Sequence, residues 1–471
     1  MSDYKLLIGG RLVAGDTTMP VVNPATEAVI ADCPRGSAAQ MDEAVAAAKA
    51  AFPGWAALPI ADRRAAILRL ADALNRRAEE FARLLTREQG KPLSESTAEL
   101  AYTEAFLRSL ATLDLPVRVV EDGERRRVEL HRRPLGVVAA IIPWNFPLLI
   151  VAFKLPLALL AGNSMVIKPA PTTPLTTLRF GELCAETLPP GVVNIVTDAN
   201  DLGARLSSHP DVRKVTFTGS TETGRRVMSS AAATIKRITL ELGGNDAAIV
   251  LDDADPKAVA PKLFAGAFMN AGQVCLAIKR LYVHERIYDA LCAELAALAE
   301  AAVVGDGLLP DVRIGPLQNR AQYDKVLGFL EDAGRDGRII AGGAVTGGPG
   351  WFIRPTIVRD IADGARLVDE EQFGPILPVI RVTGIDDAVR RANASPYGLG
   401  ASVWSSNPDR AYGVACRLEA GTVWINTHLD FGPTIPFGGA KQSGLGVEFA
   451  EEGLAEFTQL TVINRAINRA N

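Results

Sequence analysis

The sequence predicts an α/β protein built on parallel sheets with helices on both faces, divided into two α/β regions. Three observations predict it. Short, continuously apolar runs recur from Gly136 onward and alternate with helix-like segments. Strands under two helix layers have no wet side, so they read as unbroken apolar runs and not as alternation. The chain has 471 residues, too many for one compact core. Its 48% hydrophobic and 22% charged residues are ordinary globular composition, so most of it is expected to fold.

Taken in order, Met41–Phe52 and Ala61–Arg87 show helical periodicity. The second carries Ile67, Leu70, Leu74, Phe81 and Leu84 along one side, with Gly90 and Pro92 as a stop. Pro116–Arg133 is basic and β-prone, and suits either an edge strand seeking another sheet or an ordinary surface hairpin. Gly136–Gly162 is apolar enough to resemble a membrane span. Pro143, Pro147 and Pro156 interrupt it, and Asn145 and Lys154 would be costly in hydrocarbon, so a buried strand, a sharp turn and a buried helix are expected. The runs GVVAAII, SMVIKP, VVNIV, KVTFTG, RITLEL and AAIVL read as strands, with helices over Leu175–Glu186 and Thr221–Ala232. In such sheets ligands bind at the carboxyl ends of the strands, where the polar motifs fall. From Gly243 a second α/β region begins, with helices over Lys257–Asn270 and Ile287–Ala302 and strands near Arg280–His284 and Pro378–Thr383. Gly342–Trp351 is a loop. The tail Glu456–Asn468 is another unassigned β-prone piece, open to the same two readings as Pro116–Arg133.

A net charge of −4 with both signs interspersed gives no reason to expect nucleic acid or an anionic membrane as partner. The opening MSDYKLLIGG has no basic stretch followed by an apolar one, so no signal peptide is expected. Cys33, Cys184, Cys275, Cys292 and Cys416 are scattered, with no CxxC pair and no zinc-type spacing. No metal site is expected, and a reducing, cytoplasmic location is.

Three motifs carry chemistry. A lone cysteine is usually buried filler, but in NAGQVCLAIKR Gly272 and Gln273 put Cys275 in a turn, where a thiol is a candidate nucleophile. In TLELGG, Glu241 stands among Ile238, Leu240 and Leu242. A carboxylate there is either paired or poised to hold a proton, as a general base with raised pKa would be. In IIPWNFP, Asn145 lies on a turn after a buried strand, where its amide can meet a developing oxyanion or simply stabilise the turn.

Together with FTGSTETG (Phe217–Gly224), EQFGP (Glu371–Pro375) and PFGGAKQSG (Pro436–Gly444), these motifs resemble the aldehyde dehydrogenase superfamily over nearly the whole chain, in family order and spacing. FTGSTETG alone would be weak, since it lacks GxGxxG. The resemblance implies a Rossmann-like dinucleotide-binding domain over residues 1–115 and 134–242 and an α/β catalytic domain over 243–446. It further implies small β oligomerisation segments at 116–133 and 447–471, and a homodimer or homotetramer. It implies Cys275 as nucleophile, Asn145 with the Cys275 backbone N–H as oxyanion donors, and Glu241 as the base that hydrolyses a thioester. Family members that acylate coenzyme A typically lack that Glu, so a small-molecule aldehyde is expected to leave as the free acid.

The resemblance also implies that Ile142, Trp144 and Lys168 surround the adenosine ribose and pyrophosphate, and that Gly219 and Ser220 offer helix N-terminal amides to a phosphate. Leu242 joins the cofactor site, Glu371 and Gln322 reach the nicotinamide ribose, and Phe373 packs beside it. Pro171 is a departure: the family's usual Glu, which binds the adenosine ribose and repels a 2′-phosphate, is missing from KPAP, so either NAD or NADP is expected. The substrate tunnel is expected along Phe146, Ile150, Phe153, Val274, Leu276 and Phe431. Relatives that oxidise succinic semialdehyde have Arg in place of Phe153, so an apolar aliphatic or aryl aldehyde is favoured. The rival is a dinucleotide-binding protein that keeps the fold without catalysis; it would be expected to lose Cys275, Glu241 or Asn145, and all three are present. No GxSxG supports a serine hydrolase. The histidines His131, His209, His284 and His428 fall in no matched motif.

Overall fold

The computed structural model describes residues 4–467. Asn468, the last residue of the expected tail segment, lies outside them, as do the last residues of the expected segment 447–471.

The first sheet has eight strands. Five form a parallel core in the order Val193–Ile195, Ser164–Lys168, Val137–Ile141, Val212–Thr218 and Arg237–Glu241. Leu6–Ile8 with Arg11–Val13 outside it on one side, and Gly444–Leu445 on the other, add antiparallel strands, so the chain returns to this sheet near its C-terminal end. Five of the six runs read as buried strands are these strands, and they alternate with helices Pro147–Leu160, Leu175–Thr187 and Thr221–Ala231; the sixth, AAIVL, is the strand Asp246–Val250 of the second sheet. Winding starts at Val137–Ile141 and goes outward first through Ser164–Lys168, then through Val212–Thr218 on the other side. That reversal leaves a crevice at the carboxyl ends of two neighbouring strands, the usual place for a ligand in such sheets.

The second sheet has seven strands in the order Arg338–Ala341, Thr356–Arg359, Ile376–Val382, Ile278–His284, Asp246–Val250, Gly400–Trp404 and Thr422–Ile425, parallel except for the first pair. Its two faces have separate cores, Ala247 and Ile249 facing one and Ala248 and Val250 the other, as the period of two requires.

The expected helix Ala61–Arg87 is two helices, Ile60–Arg76 and Ala78–Gln89. Arg77 leaves helical geometry with φ −114° and ψ 15°, while Leu74 and Phe81 on either side stay buried in one core. A one-residue interruption leaves the apolar stripe intact, so periodicity does not register it. The expected helix Lys257–Asn270 stops at Phe268, because Asn270 and Ala271 turn left-handed to begin the loop that carries Cys275. In Gly136–Gly162 the strand, turn and helix are present as expected. Lys154 is buried inside Pro147–Leu160 and ion-paired with Glu448. Among the described residues no helix is long and apolar enough to cross a membrane.

The two unassigned β-prone pieces pair with each other. Arg118–Asp122, Arg126–Pro134 and Thr458–Ala466 form one antiparallel three-stranded sheet, with Arg126–Pro134 in the middle. Ahead of its last strand, Phe449, Leu454 and Phe457 are buried in the core of the first sheet.

Candidate active site

Both sheets direct their motifs to one place. Beyond helix Pro256–Phe268, Asn270, Ala271 and Gly272 take φ of 49°, 54° and 74°. Glycine is needed at 272, since a Cβ there would lie 2.4 Å from the carbonyl oxygen of Gly374 in the EQFGP motif. Gln273 then fastens the loop. Its Nε2 donates to Asn270 O at 2.9 Å, and its Oε1 accepts from the Gln318 N–H at 2.9 Å. Two residues later comes Cys275, half-buried, whereas Cys33, Cys184 and Cys292 are buried and Cys416 is exposed.

Asn145 is tied to this loop at both ends. Its Nδ2 donates to Gln273 O at 3.0 Å, and its own carbonyl accepts from Asn270 Nδ2 at 3.1 Å. One hydrogen of the Asn145 amide is thereby used and the other remains for a ligand. Beneath it the buried Lys91 donates to Asn145 O at 2.8 Å, pairs with Glu99 at 2.5 Å and lies 3.6 Å from the Phe146 ring centroid. Sequence reasoning named neither Lys91 nor Glu99, and gave Gln273 only a place in the turn; a lysine after a helix stop looks like any surface lysine until the chain is folded over it.

Glu241 ends the strand Arg237–Glu241, opposite Thr218 on one side and Gly444 on the other. It is buried, and neither carboxyl oxygen has a hydrogen-bond partner. Burial raises its pKa well above the ordinary carboxyl value, Glu448 adds to the rise, and Lys154 opposes it. The Cys275 thiol is pushed up to about 12 by burial; Lys279 works against this, and Asp246, Glu241 and Glu371 add to it. Both shifts favour the uncharged form of the acid and of the thiol in the resting site. Lys154 in an otherwise apolar run signals a buried pair, but Glu448, 294 residues away, does not show itself in the sequence.

A cleft of about 840 Å³ opens at the sheet's reversal point. Ile142, Trp144, Lys168, Pro171, Gly219 and Ser220 line it. It adjoins a smaller cavity of about 160 Å³ that reaches Cys275 and Asn145 and is walled by Leu242, Gln322, Glu371 and Phe373. Trp144, Gly219 and Ser220 belong to both, so the structure brings all ten residues expected around the cofactor to one continuous surface.

Some details differ from expectation. The Gly219 N–H is already donated to Glu241 O at 3.0 Å, so it is not free for a phosphate, because the strand hydrogen bonds extend to that residue. Ser220 is the N-cap of helix Thr221–Ala231, accepting from the Thr223 N–H. Lys168 pairs with the buried Asp198 at 2.6 Å. Gln322 Nε2 is engaged by Gln372 O at 3.0 Å and Phe373 O at 2.9 Å, so it supports the Phe373 loop. Phe373 meets the Trp144 ring edge-on at 5.5 Å. Phe146, Ile150, Phe153, Val274, Leu276 and Phe431 all belong to the core of the first sheet, against which Cys275 also packs, with the Phe153 ring 4.7 Å from Phe106 and 6.1 Å from Phe431; none of the six lines the cavity that reaches Cys275. Among the described residues no group of three or more His, Cys, Asp or Glu side chains is placed to hold a metal ion.

The aldehyde dehydrogenase family model matches residues 12–463. A phenylacetaldehyde dehydrogenase of Pseudomonas fluorescens is 42% identical, over 97% of this chain and 94% of its own length. Betaine aldehyde dehydrogenase of Staphylococcus aureus, solved in complex with NAD+, superposes with a TM-score of 0.96 at 32% identity, covering 100% of this chain and 99% of its own. An NADP-dependent enzyme of E. coli superposes with a TM-score of 0.96 at 36% identity over 98% of both chains. The fold is that of these enzymes, and the chain belongs to the aldehyde dehydrogenase family.

Proposed function

We propose that the protein oxidises an apolar aldehyde, aliphatic or aryl, to its carboxylic acid with NAD+ or NADP+, through covalent catalysis by Cys275. The observation that carries this reading is the continuity of the cleft at the sheet's reversal point with a cavity reaching Cys275 and the Asn145 amide. A dinucleotide fits that surface. It is long enough to run from Lys168 and Pro171 to Glu371, it crosses a helix N-terminus, and at Gly219 the chain carries no side chain. Ile142, Trp144, Lys168, Pro171 and Ser220 would hold its adenosine and phosphate end, and Leu242, Glu371 and Phe373, braced by Gln322, its nicotinamide end. When bound it supplies the hydride acceptor.

The protein's own residues do the rest. The Cys275 thiol gives its proton to solvent water, its sulfur bonds to the aldehyde carbon, and the oxygen, now negative, is held by the free Asn145 amide hydrogen and the Cys275 N–H. Once the carbon is oxidised, sulfur carries a thioester. Glu241, ionised, takes a proton from water, the hydroxyl attacks the thioester carbon, and the C–S bond breaks to release acid and restore the thiolate. The apolar side chains Phe153, Leu276 and Phe431, packed in the same core as Cys275, favour a substrate without a charged tail, and the phenylacetaldehyde dehydrogenase relative supports an aryl aldehyde. Pro171 places no carboxylate where a 2′-phosphate would come, so NADP is admitted beside NAD. We place the enzyme in the cytoplasm, where five unpaired cysteines are stable, and as a dimer or tetramer assembled through the three-stranded sheet.

The test is reduction of NAD and NADP, followed by absorbance, with a panel of aliphatic and aryl aldehydes, beside a Cys275→Ala control. Turnover in the native protein that is lost in the control supports the reading. Turnover that survives the substitution refutes Cys275 as nucleophile, and dinucleotide binding with no reduction at all would favour a non-catalytic member of the family.

A further inference from the structure

Under the nucleophile lies a buried cation that the chemistry above does not use. Lys279 is 1% exposed. Its Nζ donates to Val274 O at 2.9 Å and to Cys275 O at 2.6 Å, and Glu371 Oε1 lies 3.3 Å away. A second carboxylate, Asp246, is buried close by. Gly244 and Gly400 leave it room, since a Cβ on either would come within 2.8 Å and 2.4 Å of its oxygens. An ammonium with this little water is held by the Glu371 carboxylate and two backbone carbonyls of the catalytic loop, with Asp246 as a further charge nearby, where a simple core position would carry an apolar side chain.

The position of those carbonyls matters. In a trans peptide the C=O of one residue and the N–H of the next point in opposite directions. Fixing Val274 O from below therefore aims the Cys275 N–H the other way. Val274 O also accepts from the Ala277 N–H at 3.1 Å, so two donors fix one peptide plane. A cation on a carbonyl also polarises the peptide, which strengthens its N–H as a donor.

We propose that Lys279 is a positioning residue for the nucleophile: it aims and polarises the Val274–Cys275 peptide, whose N–H is half of the oxyanion hole, and its charge favours the Cys275 thiolate. This rests on Cys275 being the nucleophile. The groups facing that thiol come from several elements: Lys279 on the strand that follows, Asp246 on the adjacent strand, Glu241 at the end of the first sheet and Glu371 from the EQFGP loop. His428 contacts Leu276 O through Nε2 at 2.7 Å, and burial lowers its pKa to about 4, so it stays neutral in the working range. Lys279 is thus the cation among the groups facing the thiol. Its carboxylate neighbour Asp246 opposes the thiolate, so the two substitutions have opposite signs.

The experiment measures the rate of Cys275 alkylation by iodoacetamide across pH, mapped to its peptide by mass spectrometry, in the full-length protein. Lys279→Met should slow alkylation near neutral pH by about tenfold or more, because an opposite charge close to a titrating group commonly moves it by at least that factor. Asp246→Asn should speed it. The double variant Lys279→Met/Asp246→Asn removes both charges, should return toward the native rate, and is the one to read if the single lysine variant does not fold. In turnover Lys279→Met should lower kcat with little change in KM, since the oxyanion contact strengthens only in the transition state. An unchanged alkylation profile in folded Lys279→Met, or shifts of the same sign in both single variants, overturns the proposal. Turnover that survives Cys275→Ala is a separate failure, that of the nucleophile itself.

Discussion

Changing Glu241 to Gln removes the base proposed for thioester hydrolysis and disturbs little else. The carboxyl makes no hydrogen bond, so the amide breaks none, and the packing of the strand against Thr218 and Gly444 is backbone pairing that the substitution leaves alone. The loss falls on thioester hydrolysis. A positioned general base contributes roughly 10²–10⁴-fold, about 3–5 kcal/mol of barrier. Rapid mixing with aldehyde and dinucleotide should therefore show a first-turnover burst of reduced nicotinamide of native amplitude, followed by a steady state slowed by that factor. The pH profile supplies a second readout. Burial and Glu448 raise the Glu241 pKa, so the native base is protonated at low pH and deacylation quickens as pH rises through the raised value. That limb should vanish in the Gln variant. Stability runs the opposite way. The folded state holds the proton more tightly than the unfolded chain, so Glu241 favours folding at low pH and this contribution is lost as pH rises through the raised value. The Gln variant should lose that dependence. Absence of the burst in a variant that still binds dinucleotide would refute the assignment, because Glu241 would then be needed to form the thioester as well. A steady state within threefold of native would refute it equally.

Three further outcomes follow from the same geometry. Pro171→Glu puts a carboxylate at the wall of the 840 Å³ cleft, and like-charge repulsion of about 1.5–3 kcal/mol should raise KM for NADP roughly 10- to 100-fold while NAD changes little. Equal effects on both dinucleotides would show that the 2′-phosphate does not lie there. Lys154→Met leaves Glu448 buried and unpaired, which should cost about 3–5 kcal/mol in denaturant unfolding, whereas Lys154→Met/Glu448→Leu should recover most of it. Additive losses would mean that the two charges do not stabilise one another. Val462→Asp places a charge on an exposed apolar position of the three-stranded sheet, and light scattering should show a smaller assembly with the fold intact. An unchanged mass would remove that sheet from the subunit interface.

Local chemistry made much of this protein legible before folding. Unbroken apolar runs mark strands buried on both faces, and their order with the intervening helices predicts the parallel sheets that the structure contains. The turn signal at Gly272 and the strand context of Glu241 depend only on neighbours in sequence, so Cys275 and Glu241 stand where they were expected to stand. Seven of the ten residues expected around the cofactor line the cleft and its inner cavity because they lie at or just beyond strand ends, and strand ends share one edge of a parallel sheet; Gln322, Glu371 and Phe373 reach the same surface from a helix and a loop of the second region.

What only the tertiary structure decided is pairing across distance. The tail and the Pro116–Arg133 segment each read as an unassigned edge, yet Thr458 pairs with Pro134 and Ala466 with Arg126 in one sheet. Lys91 supports Asn145 from 54 residues away, and Glu448 meets Lys154 from 294. The Gly219 amide was expected to be free and is taken by Glu241 O; Gln322 was expected on a ribose and holds the Phe373 loop. Periodicity reports which face of an element is dry. It carries no record of which element covers that face, and a buried charge has the same letters as an exposed one until its partner arrives through space.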